Sequence, residues 1–204
     1  MRRFVKLCFK AVRENVSVST GFLFLLTAAF FFVPIQWIGA WMLALAIHEL
    51  CHYVALLLCG GSVTSVQISC RGVIMNTDPL SLGKEAICAY AGPLFALILL
   101  LFARYLPRTA ICTLFLSAYN LLPIFPLDGG RGLGCLVRKF LPTTAAERVL
   151  RHAENSVLLG ILSIGFYSAF CLGLGILPAV IAVLLFLRSK EIKIPCKKWW
   201  LGVQ

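Results

Sequence analysis

The sequence predicts an all-α membrane protein of about six transmembrane helices with a short β-hairpin after the second, and three observations predict it. Hydrophobic residues make up 60% of the 204-residue chain and charged residues 13%, and the mean hydropathy is +0.93. Those values lie far above a soluble domain and exclude disorder. Apolar stretches recur at lengths near the ~17 to 25 residues that cross a hydrocarbon core. The basic residues collect on one side of those stretches, as membrane topology requires.

Taken in order, the spans are expected at residues 16–33, 36–59, 85–106, 109–127, 156–172 and 176–187. Ahead of the first, Phe4, Leu7, Cys8 and Ala11 share one face of a segment from Arg2 to Arg13 with basic residues opposite, which suggests an interfacial helix. No A-x-A-like cleavage site precedes Pro34, so the first span is expected to be retained. After the second span, Gly60-Gly61 opens a stretch in which Val63, Ser65, Gln67 and Ser69 alternate with Thr64, Val66, Ile68 and Cys70. With Arg71-Gly72 as its turn, this predicts a β-hairpin whose edge can receive an extended peptide. In the third span Ala91-Gly92-Pro93 thins the helix surface and removes a backbone donor, so that a neighbour can pack close. Between the fourth and fifth spans, Leu133, Leu136, Val137 and Phe140 stand at helical spacing and Thr144 precedes Glu147 as in a capping box. A cytoplasmic helix is expected there. No soluble segment is long enough for a second core, so residues 1–204 are expected to form one membrane domain.

With six spans and a cytoplasmic N-terminus, all of the 19 Lys and Arg residues except Arg104 and Arg108 fall on the cytoplasmic side. A single span over residues 156–187 would put the basic tail outside. A hairpin turning at Gly173-Leu174-Gly175 keeps it in, and both termini are then cytoplasmic in a multi-pass protein of the cell membrane. The net charge of +11 is thus a topological and lipid-anchoring signal. No interleaving of aromatic and basic residues makes a nucleic-acid platform, so the expected partners are the lipid bilayer and membrane-protein substrates, not nucleic acid. Nine cysteines without a C-x-x-C pair read as packing residues and reduced thiols.

The motif that carries chemistry is His48-Glu49-Leu50-Cys51-His52, inside the apolar run from Gln36 to Cys59. An ionisable group at the bilayer centre costs roughly 2.5 to 3.5 kcal/mol on insertion scales, so such residues pair, line cavities or bind ions. On a helix the two imidazoles project from one face and Glu49 lies about 100° round from His48, within reach of a metal-bound water. This is the H-E-x-x-H pattern of zinc hydrolases. Cys51 points away from that face, and His152 lies in a polar stretch with no matching spacing, as an ordinary surface histidine would.

A second constellation reads Asn120-Leu-Leu-Pro123-Ile-Phe-Pro126-Leu-Asp128-Gly129-Gly130-Arg131 at the end of the fourth span. The prolines stop regular helix and fix the aspartate on a bent segment. His52 stands about 10 Å from the cytoplasmic end of its helix and Asp128 ends its own on the same side, so the two reach similar depth. Two His and one Asp, with a fourth position for water, match a catalytic tetrahedral zinc site holding one ion per chain. Zinc with Asp128 and one further negative charge is near neutral, which lowers the burial cost.

On these residues the chain resembles the site-2 protease family of intramembrane zinc metalloproteases: H-E-x-x-H at His48 to His52, Ala91-Gly92-Pro93, and Asn120 with Pro123-Ile-Phe-Pro126-Leu127-Asp128-Gly129. The likeness covers roughly Ala40 to Arg131, and the six-span topology looks most like the bacterial sporulation-protease branch. The resemblance implies that His48, His52 and Asp128 are zinc ligands, that Glu49 is the catalytic base, and that Asn120 holds substrate or stabilises the oxyanion. It implies regulated intramembrane proteolysis of membrane-embedded or membrane-tethered proteins. The sequence departs from better-known members in carrying neither an inserted PDZ domain nor a C-terminal CBS domain. Two other classes remain beside it: a zinc-binding transporter, which would want further polar residues in other spans, and an inactive membrane scaffold, which would have lost a ligand or Glu49.

Overall fold

The computed structural model describes residues 16–69, 72–170, 180 and 183. Local punctuation sets where its helices begin and end. Helix α1 (Thr20–Phe32) starts where Phe22 N–H donates to the Ser19 hydroxyl at 3.3 Å. Pro34 separates it from α2 (Ile35–Leu58) and, with φ already fixed, sits where a helix lacks N–H acceptors anyway. At the far end of α2, Gly60 N–H bonds Leu57 O and Gly61 N–H bonds Leu56 O, each at 3.0 Å. Gly60 adopts φ 79°, the left-handed turn that this paired closure needs. Lys84 donates to the Cys59 carbonyl at 2.8 Å, a cation placed on the negative end of the helix.

The hairpin foreseen after α2 is present as β2 (Val63–Ser69) and β3 (Gly72–Thr77), paired antiparallel from Val63↔Thr77 to Ser69↔Gly72 with an irregularity between Val63 and Ser65. Its turn residues 70 and 71 lie outside the described residues. A third strand was not foreseen. Val16–Val18 (β1), expected to open the first span, pairs parallel with β2 at Val16↔Val66 to Val18↔Ile68, in the order β1-β2-β3. The helix that follows, α1, is therefore only 13 residues long.

Helix α3 (Leu82–Ala96) carries Pro93 internally and runs on as a 3₁₀ segment, Leu97–Phe102. It packs against α2. Small residues are buried on both helices, Ala86, Ala89, Ala91, Gly92 and Ala96 on α3 and Ala40, Ala44 and Ala55 on α2, which suits close approach. Helix α4 (Pro107–Asn120) adds Cys112 to the cluster of Ala40 and Ala44. Outward faces are apolar instead, with Phe24, Phe31 and Phe32 on α1 at 78%, 81% and 86% exposure, a surface that water tolerates poorly and lipid does not. Among the described residues two helices, Ile35–Leu58 and Leu82–Phe102, are long and apolar enough to cross a membrane.

Those strands and helices, up to Tyr119, form one compact unit, and the chain from Asn120 forms a second. In the second, residues 121–127 are irregular, α5 spans Asp128–Phe140 and α6 spans Thr143–Phe170. The fourth apolar stretch thus ends as helix at Asn120, seven residues short of the expected Leu127, because Pro123 and Pro126 supply no N–H. The chain folds back over the first turn of α5. A β-carbon on Gly130 would lie 2.5 Å from the Ile124 carbonyl, and one on Gly129 would overlap that of Leu121, so this return needs both glycines. The fifth expected span, 156–172, is the apolar half of the longer α6, whose first turn is closed by the Pro142 carbonyl accepting from Ala145 and Ala146. Thr144 lies inside that helix and is not its cap. Within the unit α5 packs on α6, and Gly132, Gly134 and Cys135 on α5 and Ala146 and Leu158 on α6 are buried. The sixth expected span, apart from the helical Val180 and Val183, and the interfacial segment from Arg2 to Arg13 fall outside the described residues.

Candidate metal centre

His48 and His52 stand one turn apart on α2, on the face the helix turns inward: His48 is 2% exposed and His52 half-buried. Their rings meet edge to face with centroids 4.8 Å apart, and the two Nε2 atoms approach to 3.2 Å. The other nitrogen of His52 settles what its Nε2 carries. His52 Nδ1 lies 2.8 Å from the Cys88 carbonyl on α3. A carbonyl oxygen only accepts, so Nδ1 bears the proton, and in the neutral ring Nε2 presents a lone pair toward His48. Fixing an imidazole through a backbone carbonyl in this way is how metal-binding histidines are oriented.

Gly92, one turn beyond Cys88, brings the α3 backbone against the same ring. A β-carbon there would come within 3.0 Å of His52 Nε2, Cδ2 and Cε1, closer than real β-carbons approach anything. The close approach expected of Ala91-Gly92-Pro93 is thus made, and its partner is a histidine of the motif.

Asp128 is the first residue of α5, half-buried, where the positive end of the helix favours a carboxylate. One ligand atom each from His48, His52 and Asp128 lies within 4.8 Å of the others, and the three could hold a metal ion. The donor set fits zinc. Two nitrogens bound tetrahedrally at ~2.0 to 2.1 Å stand about 3.3 Å apart, and the Nε2 atoms are at 3.2 Å. Glu49 is half-buried beside His48. Asn120 is the last residue of α4, half-buried. Neither Cys51 nor His152 joins the group. His152 is exposed and bonds the Arg148 carbonyl at 2.7 Å, the surface histidine its context suggested.

The fold is that of a site-2 protease. Among solved structures it is similar to the site-2 protease from Methanocaldococcus jannaschii, at a TM-score of 0.56 and 19% identity, over 87% of this chain and 91% of that one. No family model matches the sequence, and no curated protein matches it. At that identity the likeness concerns the fold, and the chemistry rests on the residues themselves.

Proposed function

We propose that the chain is an intramembrane zinc metalloprotease that hydrolyses peptide bonds of membrane-embedded or membrane-tethered proteins. One observation carries the reading: the paired imidazoles of an H-E-x-x-H motif, grouped with Asp128, sit on a helix apolar enough to cross a membrane. His48, His52 and Asp128 would hold one zinc per chain and leave a fourth position to water. When bound, the ion supplies Lewis acidity, bringing water's pKa to ~7 and polarising the scissile carbonyl. Glu49 accepts the proton of the attacking water and passes it to the leaving amine. The Asn120 side-chain amide donates to substrate, at its backbone or at the carbonyl oxygen gaining charge.

Peptide bonds inside a helix are shielded, so the substrate must be unwound where it is cut. The edge of β3 suits an extended segment, because β2 already has partners on both sides among the described residues while β3 has one. In this reading the chain is one membrane domain of six spans with both termini in the cytoplasm, from which water reaches the site. Co-expression with a panel of tagged single-span or membrane-tethered proteins tests it. A fragment made by the native chain and absent with Glu49→Gln is expected; no fragment from any candidate, with protein folded and zinc bound, would count against proteolysis.

A further inference from the structure

Helix α3 holds the His52 imidazole at two points. The Cys88 carbonyl takes its Nδ1 proton at 2.8 Å, and the Gly92 backbone lies under the ring. Where it lies can be read from what a β-carbon would meet. That atom would stand 2.5 Å from both Cδ2 and Cε1, the two carbons flanking Nε2, and nearer still to Nε2. Equal and short distances to both flanking carbons put it over the ring face; along the in-plane lone pair of Nε2 they would be much longer. A side chain at position 92 would therefore leave the ion's place open and displace the ligand itself.

We propose that Gly92 is a positioning residue for metal binding: lacking a side chain, it lets the His52 ring lie flat against α3, which keeps His52 Nε2 at the 3.2 Å from His48 Nε2 that a shared ion requires. The inference rests on the reading of His52 as a zinc ligand. Ordinary van der Waals contact begins at 3.4 Å, so a methyl group at position 92 moves the ring by about 1 Å, a displacement on the scale that disables positioned groups. Gly39 on α2 is the matched control, since a β-carbon there meets nothing within 4 Å and alanine carries the same helix preference at both sites.

The test uses the full chain purified in detergent, with zinc affinity measured by competition against a chromophoric chelator. Gly92→Ala is expected to bind zinc ~10- to 100-fold more weakly, the range seen when a ligand's supporting contact is lost. Its visible cobalt(II) spectrum should be altered while the metal-free chain still folds with a cooperative thermal transition, and Gly39→Ala keeps the native zinc affinity and cobalt spectrum. A Gly92→Ala chain with native zinc affinity and cobalt spectrum overturns this inference alone, whereas a native chain that binds no zinc removes the ligand reading beneath it. If Gly92→Ala does not fold, the native chain decides. With only three histidines in the sequence, magnetisation transfer between Gly92 Hα and the His52 ring protons is assignable; it is expected, and its absence overturns the packing on which the proposal stands.

Discussion

Replacing Glu49 by glutamine keeps the side chain's heavy-atom shape and removes only its capacity to take a proton. Glu49 adjoins His48 in sequence but lies about 100° round the helix from it, and it is outside the His48, His52 and Asp128 group. The substitution should therefore leave zinc at one per chain and the thermal midpoint near the native value. Catalysis should fall by the ~10²- to 10⁴-fold that a positioned acid–base group supplies, a barrier higher by about 2.7 to 5.4 kcal/mol. The assay is turnover of a cleaved membrane-tethered substrate by purified chain in detergent, with zinc measured on the same samples. Turnover within a few-fold of native, at equal zinc, would remove Glu49 as the base. Loss of zinc along with turnover would make it a ligand.

Other substitutions separate the site from its surroundings. His152→Ala should change neither zinc content nor turnover, since the ring is exposed and bonds only locally along α6; a drop in metal content would reopen its role. Lys84→Met loses the bond to the Cys59 carbonyl and should lower stability by about 0.3 to 1 kcal/mol, read from the thermal midpoint. A larger loss would mean that this cap also sets how α3 meets α2.

The parts of the site that local geometry dictates were legible in the sequence. Two histidines four residues apart share a helix face whatever surrounds them, and the alternation from Val63 to Ser69 with Gly72 behind it foreshadows a hairpin. What escaped depends on partners distant in sequence or on backbone atoms. Three residues, Val16 to Val18, form a strand only because β2 accepts them alongside, and apolar composition there equally suits a helix. Hydropathy runs on to Leu127, but helix α4 stops at Asn120 because Pro123 and Pro126 lack backbone donors, which hydropathy does not register. The polar stretch before Asn155 and the apolar stretch after it differ in composition, yet one continuous backbone helix joins them as α6. The Cys88 carbonyl that sets the His52 tautomer has no side-chain signature at all. Gly92 did have one, since a glycine beside a proline within an apolar span implies close approach, but its partner could be named only once α2 and α3 were seen packed.

The most direct measurement is zinc X-ray absorption with metal stoichiometry on the native chain and on Asp128→Ala. One zinc per chain is expected, bound by two imidazoles and at least one oxygen at ~2.0 to 2.1 Å, with the Asp128→Ala chain losing most of its metal or a carboxylate from the shell. An identical shell and stoichiometry in Asp128→Ala would contradict the account, since His48 and His52 would then hold the ion without the carboxylate that begins α5.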